Sequence, residues 1–227
     1  LIDGTLGMAY GVSASTLLLS MGLPPAVTSA TVHAAECFTT GASAVSHHAF
    51  GNVDRALFRR LVIPGVAGAV AGAYLLVSVS GEALTKYVAL YLVVMGGVII
   101  VKSMREFPPR TVTSHVAPLG FVGALLDAMG GGGWGPIVAS TLIARGNHVR
   151  QTVGTVNAAE FFVTLAASIT FVLTLGLSHW PVIAGLALGG LVAAPLGAWL
   201  CTRAPVRPLM ALVGALVILV SLRTLLR

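Results

Sequence analysis

The sequence predicts an all-α polytopic membrane protein built from two homologous four-segment repeats, each opening with a Gly-broken or re-entrant helix. Two observations carry this expectation. Apolar residues make up 56% of the 227 positions and charged residues only 9%, too little charge for the surface of a soluble domain of this length. Apolar stretches of about 20 residues, the length a helix needs to cross a hydrocarbon core, recur along the chain and are joined by short links that hold nearly all the Lys and Arg. The second observation is internal repetition, seen when positions about 124 apart are compared. Thr28-x-x-Thr31-Val32-His33-Ala34-Ala35-Glu36-x-Phe38 lies opposite Thr152-x-x-Thr155-Val156-Asn157-Ala158-Ala159-Glu160-x-Phe162 without a gap. Upstream, Asp3, Gly7, Tyr10 and Gly11 match Asp127, Gly131, Trp134 and Gly135; downstream, Gly72-Ala73-Tyr74-Leu75 matches Gly197-Ala198-Trp199-Leu200.

The first repeat is expected over residues 1–110 and the second over 111–227. Within the first, the spans read as a Gly-interrupted segment at 1–22, a long helix with the Thr/Glu pattern at 26–48, a Gly/Ala-rich helix at 61–79 and an aliphatic helix at 84–103. The second unit gives 116–145, 149–175, 181–202 and 207–225. Its longer opening segment predicts that the first unit's begins about ten residues before Leu1. Leu1 and its neighbours already belong to an apolar segment, not to a cleavable signal peptide.

Segment 116–145 sets the topology. As one straight helix it would measure about 45 Å, against a hydrocarbon core of about 30 Å. The Gly130–Gly133 run and Pro136 should break it into two half-length pieces. A segment that enters and returns on one side leaves an odd number of full crossings per unit, so the repeats are expected to be inverted. Ten Lys or Arg then fall on one side and three on the other, whereas simple crossings give eight against five. The net charge of +6 sits at segment ends, facing lipid headgroups, and does not indicate a nucleic-acid partner. Cys37 and Cys201 have no metal-type spacing, so neither a metal site nor a disulfide framework is expected, and no cofactor. No phosphate-binding loop, paired-His zinc motif or nucleophile elbow is present, so the expected activity is transport and not catalysis.

Polar residues inside the apolar spans are the candidate site. Gly-rich backbone at mid-membrane exposes amides, and half-helix N-termini carry partial positive charge, a setting suited to an anion. Gly131, Gly132, Gly133, Trp134 and Gly135 of the second unit and Gly7 and Gly11 of the first are therefore candidate lining residues; the alternative is that they only permit close helix packing. Pro136 is expected to open the returning half-helix, and Asp3 and Asp127 to cap the breaks. His33, Glu36 and Thr40 share one helix face, as do Asn157, Glu160 and Thr164. A buried carboxylate is costly unless paired or protonated, so Glu36 and Glu160 are read as proton-coupling or structural groups. His33, Asn157, Thr31 and Thr155 are candidate hydrogen-bond partners of an oxyanion, although threonines in membrane helices often bond their own backbone.

The run Gly130-Gly131-Gly132-Gly133-Trp134-Gly135-Pro136, the four-plus-four layout and the repeated Thr/Ala pattern resemble the TauE/SafE family of sulfite and organosulfonate permeases over essentially the whole chain. The resemblance implies a multi-pass bacterial-type inner-membrane transporter moving a small sulfur-containing anion such as sulfite, thiosulfate or a sulfonate. Membrane lipid, protons and a second copy of the chain are its expected partners. An anion channel and an intramembrane scaffold or enzyme are the other readings.

Overall fold

The computed structural model describes residues 10–79, 82–104, 114–176, 178–201 and 206–226. Asp3 and Gly7 lie outside them. Helix α1, Tyr10–Ser20, ends at Gly22, whose φ of 92° turns the chain. Helix α2, Pro25–Ala49, opens on an extended Pro24 with Pro25 in its first turn, where a missing N–H loses no bond. Helix α3 runs Arg55–Ser78 and starts six residues before the expected span. The reason is local: Asp54 Oδ1 accepts the amides of Ala56 at 2.8 Å and Leu57 at 3.1 Å, an N-cap that extends the helix through its charged Arg55–Arg60 turn. Helix α4 is Glu82–Ser103.

Helix α5, Val116–Gly130, stops at Gly131 in the left-handed region, φ 68°. The chain resumes in a π-helical turn, Gly135–Ala139, continued by the short α6, Ser140–Ala144. Pro136 lies in the first turn of this returning piece and supplies no N–H. The two pieces form a hairpin, because Gly123 abuts Ile137 and Val138 and Arg145 Nη2 donates to Ser114 Oγ at 3.0 Å. Both ends of the segment thus emerge together. Helices α7, Val149–Leu175, α8, Trp180–Cys201, and α9, Val206–Leu225, complete the order.

Packing is dominated by small residues. α3 and α5 run parallel, and any Cβ on Gly68 or Gly72 would strike the α5 backbone at Phe121 or Leu125, so these glycines set the helix separation. Gly72→Leu should over-pack this contact by about 1–3 kcal/mol, read as a lower unfolding temperature in detergent. A variant melting with the wild type would show that α3 can move aside. α4 and α9 meet in the same way, with Gly96 against Gly214 and Ile218, and Gly214 against Ile100.

α2 and α7 are antiparallel. Going up α2, Cys37 lies 3.4 Å from Ser168, Thr40 lies 3.5 Å from Thr164, and Ser43 accepts from Asn157 at 3.1 Å. The main core cluster gathers Trp134, Phe171, Leu61, Leu76, Leu142 and Val163 where α3, the hairpin and α7 meet. Large apolar side chains such as Ile63, Val70, Leu173, Val192 and Leu219 face outward, a surface suited to lipid. Among the described residues, Arg55–Ser78, Lys86–Ser103 and Gln151–Leu175 are long and apolar enough to span a bilayer, with shorter apolar helices at Val116–Gly130, Trp180–Val192 and Gly214–Leu225.

Candidate functional site

The break at 131–133 is held by a side chain of α5 itself and by side chains from three other helices, α1, α2 and α4. Asp127, on the last turn of α5, is the centre. Its backbone carbonyl accepts the amides of Gly131 and Gly132, and its Oδ1 accepts the Trp134 amide at 2.9 Å. One residue thereby ends the entering half-helix and caps the returning one. Asp127 Oδ2 lies 3.1 Å from His33 Nε2 on α2, and both residues are buried.

The carbonyls left over by the break also find partners. Ser29 Oγ donates to Ala128 O at 2.6 Å, Ser15 Oγ donates to Gly131 O, and Tyr91 OH donates to Gly132 O at 3.0 Å. The last bond has a conformational cause: Gly132, with φ 151°, stands outside both half-helices, so its carbonyl has no donor within either. Tyr91 supplies the missing donor. Lys102 Nζ donates to Pro136 O at 3.3 Å, where the π-turn leaves a carbonyl accessible.

Gly11 brings the first unit to this point. A Cβ there would lie 2.7 Å from Glu36 Oε1 and 2.8 Å from Gly132 Cα. Bare backbone on α1, a carboxylate on α2 and the Gly131–Gly132 backbone therefore converge, and only glycine permits it. Gly133 packs under the Tyr91 hydroxyl, and Gly135 is buried at the start of the π-turn.

The other candidate residues are placed apart from this centre. Thr31 Oγ1 donates to Val27 O at 2.7 Å and Thr155 Oγ1 to Gln151 O at 2.6 Å, so both hydroxyl protons are directed along their own helices instead of toward an oxyanion. Thr155 Oγ1 also accepts the Asp54 amide at 2.8 Å. Trp134 is a core side chain, fully buried, with its indole N–H on Val156 O at 3.1 Å. Amides 131, 132 and 134, expected to face a ligand, are all engaged by Asp127. Asn157 faces Ser43 on α2, and Glu160 is buried one turn further along α7. The repeat puts residues 3–11 opposite 127–135, so most of the segment matching Glu160's half lies outside the described residues. Among those described, no group of three His, Cys, Asp or Glu is placed to hold a metal ion.

Sequence reasoning passed over Ser15, Ser29 and Tyr91. Ser29 extends the His33–Glu36–Thr40 stripe by one turn, a signal that periodicity could have found. Ser15 lies among Ser13 and Thr16, and Tyr91 one turn after Tyr87, with nothing in the repeat to set either apart.

A bundle of apolar helices, a hairpin that enters and leaves on one side and a broken helix wrapped by buried polar groups define a multi-pass membrane protein of the transporter class. The chain matches the family described as Sulfite exporter TauE/SafE over residues 1–224, and it belongs to that family. It is 43% identical over 235 residues to "Probable membrane transporter protein YtnM" of Bacillus subtilis (strain 168), a match covering 99% of this chain and 78% of that protein. No solved structure matches it.

Proposed function

We propose that the chain is a secondary transporter of a small sulfur-containing anion, sulfite, thiosulfate or an organosulfonate, in a bacterial-type inner membrane. The family and the transporter relative support the class of activity. The observation that carries the reading is the meeting of Gly11, Glu36 and Gly131–Gly132: residues from both halves of the chain frame one broken helix, the arrangement expected of a site between repeats that rock for alternating access. The antiparallel run of α2 against α7 and the reciprocal Gly96–Gly214 contact support two four-segment units in inverted orientation. Gly11 and His33 of the first repeat and Gly133, Gly135 and Asn157 of the second frame the anion's route in this reading.

A bare carboxylate repels an anion, so a proton is the natural co-substrate. Glu36 and Glu160 are the repeated carboxylates to test. Proteoliposomes should take up radiolabelled sulfite, thiosulfate or a sulfonate saturably, and faster when a pH gradient is imposed. Absence of uptake for all three anions would remove this substrate class. Uptake that is linear in concentration and indifferent to the gradient would favour a channel instead. Glu36→Gln and Glu160→Gln variants that keep pH-dependent uptake would exclude these two side chains as the proton link.

A further inference from the structure

We propose that His33 and Asp127 together form the binding site for one transported proton; this rests on the transporter reading above and names its coupling ion and the group that carries it. The argument is a count of hydrogens. Ser29 has one hydroxyl proton, and it is donated to Ala128 O at 2.6 Å. Ser29 Oγ, 3.2 Å from His33 Nδ1, therefore accepts from the ring, as does the Ser29 carbonyl at 2.9 Å. Nδ1 carries a hydrogen. Across the ring, Nε2 faces Asp127 Oδ2 at 3.1 Å, and Oδ1 is already an acceptor for the Trp134 amide. A bond between Nε2 and Oδ2 requires one more proton, carried as N–H toward a carboxylate or as O–H toward a neutral ring. Both descriptions give a pair with no net charge and the same proton count.

Releasing that proton to water breaks the N–H or O–H bond and leaves the pair with a charge of minus one. The Nε2 lone pair then opposes a carboxylate oxygen, and the contact joining α2 to the hairpin becomes repulsive. An anion beside the break disfavours the charged form, so anion and proton are held together and released together. The proton thus moves in the same direction as the anion. The titratable groups on the packed elements are Glu36 and Cys37 on α2, Tyr91 and Lys102 on α4, and, about three turns along α7 from the Phe171 that faces His33, Glu160; α1 brings only Tyr10, and the arginines of α3 stand at its opening turn. Glu36 and Glu160 occur in both repeats, whereas His33 is replaced by Asn157. The pair therefore predicts one proton per chain, where the glutamates predict two.

The second repeat also supplies the test variant, His33→Asn, whose amide has the reach of Nδ1 and stops short of the Nε2 position facing Asp127, and which cannot titrate. In proteoliposomes with a trapped pH dye, sulfite, thiosulfate or a sulfonate should draw protons inward with the anion. The ratio of protons to anions should be lost in His33→Asn and Asp127→Asn, whatever their rates, and kept in Glu36→Gln. Proton flow against the anion, a ratio kept in His33→Asn, or a ratio lost only in Glu36→Gln would overturn the proposal. Nitrogen NMR of histidine-labelled wild-type protein in bilayers needs no substrate and no variant that folds poorly, and it separates this proposal from the choice of anion. His33 should show Nδ1 protonated at every pH and Nε2 as the nitrogen that loses its proton; a bare Nδ1 would overturn the site even if sulfite is transported.

Discussion

Asp127→Ala should lower the stability of the detergent-purified protein by about 3–5 kcal/mol, the loss typical of removing one member of a buried hydrogen-bonded pair. The side chain accepts the Trp134 amide and faces His33 Nε2, so alanine leaves a buried amide and a buried imidazole without their partner. With whole-domain stabilities of about 5–15 kcal/mol, this is a large fraction of the total. Asp127→Asn should fall between the wild type and Ala, because its Oδ1 can still take the Trp134 amide and its Nδ2 can donate to a neutral ring. Unfolding temperatures and size-exclusion profiles read the series. An Ala variant that elutes and melts with the wild type would show that the hairpin is held by something other than Asp127.

Gly132→Ala should be almost as damaging, for a different reason. Its φ of 151° disfavours any side chain, and a Cβ would run into the Val12 amide nitrogen and the Gly11 backbone. Strain at such a position costs about 1–3 kcal/mol; the backbone collision comes in addition, because α1 must move away from the hairpin. Loss of transport together with a lower unfolding temperature is the expected result. Gly176→Ala is the control: its φ of 72° and ψ of 177° carry the same backbone strain of about 1–3 kcal/mol, but nothing lies within 4 Å of the added carbon, so the collision is absent. If the two substitutions behave alike, the meeting of α1 with the break is not tight.

These residues also show how far the sequence could be read. The helices appear close to their expected limits because Gly, Pro and charged links punctuate them, and the hairpin was legible from segment length together with the Gly130–Gly133 run and Pro136. The start of α3 was not, since hydropathy stops at Arg60 while helix geometry continues to an Asp54 cap that polarity hides. Repetition singled out Asp127, Glu36 and Gly11 as residues of interest. It could not show that the amides of the glycine run would be taken by Asp127, because that depends on where the turn at Gly131 sends the chain. Tyr91 was invisible for the same reason: the carbonyl it serves is left over only because the turn at Gly131 and Gly132 takes the chain out of the helix.

The Thr40–Thr164 contact has a mechanical consequence. These two residues hold the same place in the repeated pattern, and their hydroxyls are 3.5 Å apart on antiparallel rods. Rods that scissor separate least where they touch and most at their tips. In the proposed alternating-access cycle Thr40 and Thr164, midway between the Cys37–Ser168 and Ser43–Asn157 contacts, would be the fulcrum of α2 against α7, with the exposed positions Val45 and Leu173 on the lever arms. Paired spin labels would find a fixed distance at the threonines under every gradient, while labels on the arms swing.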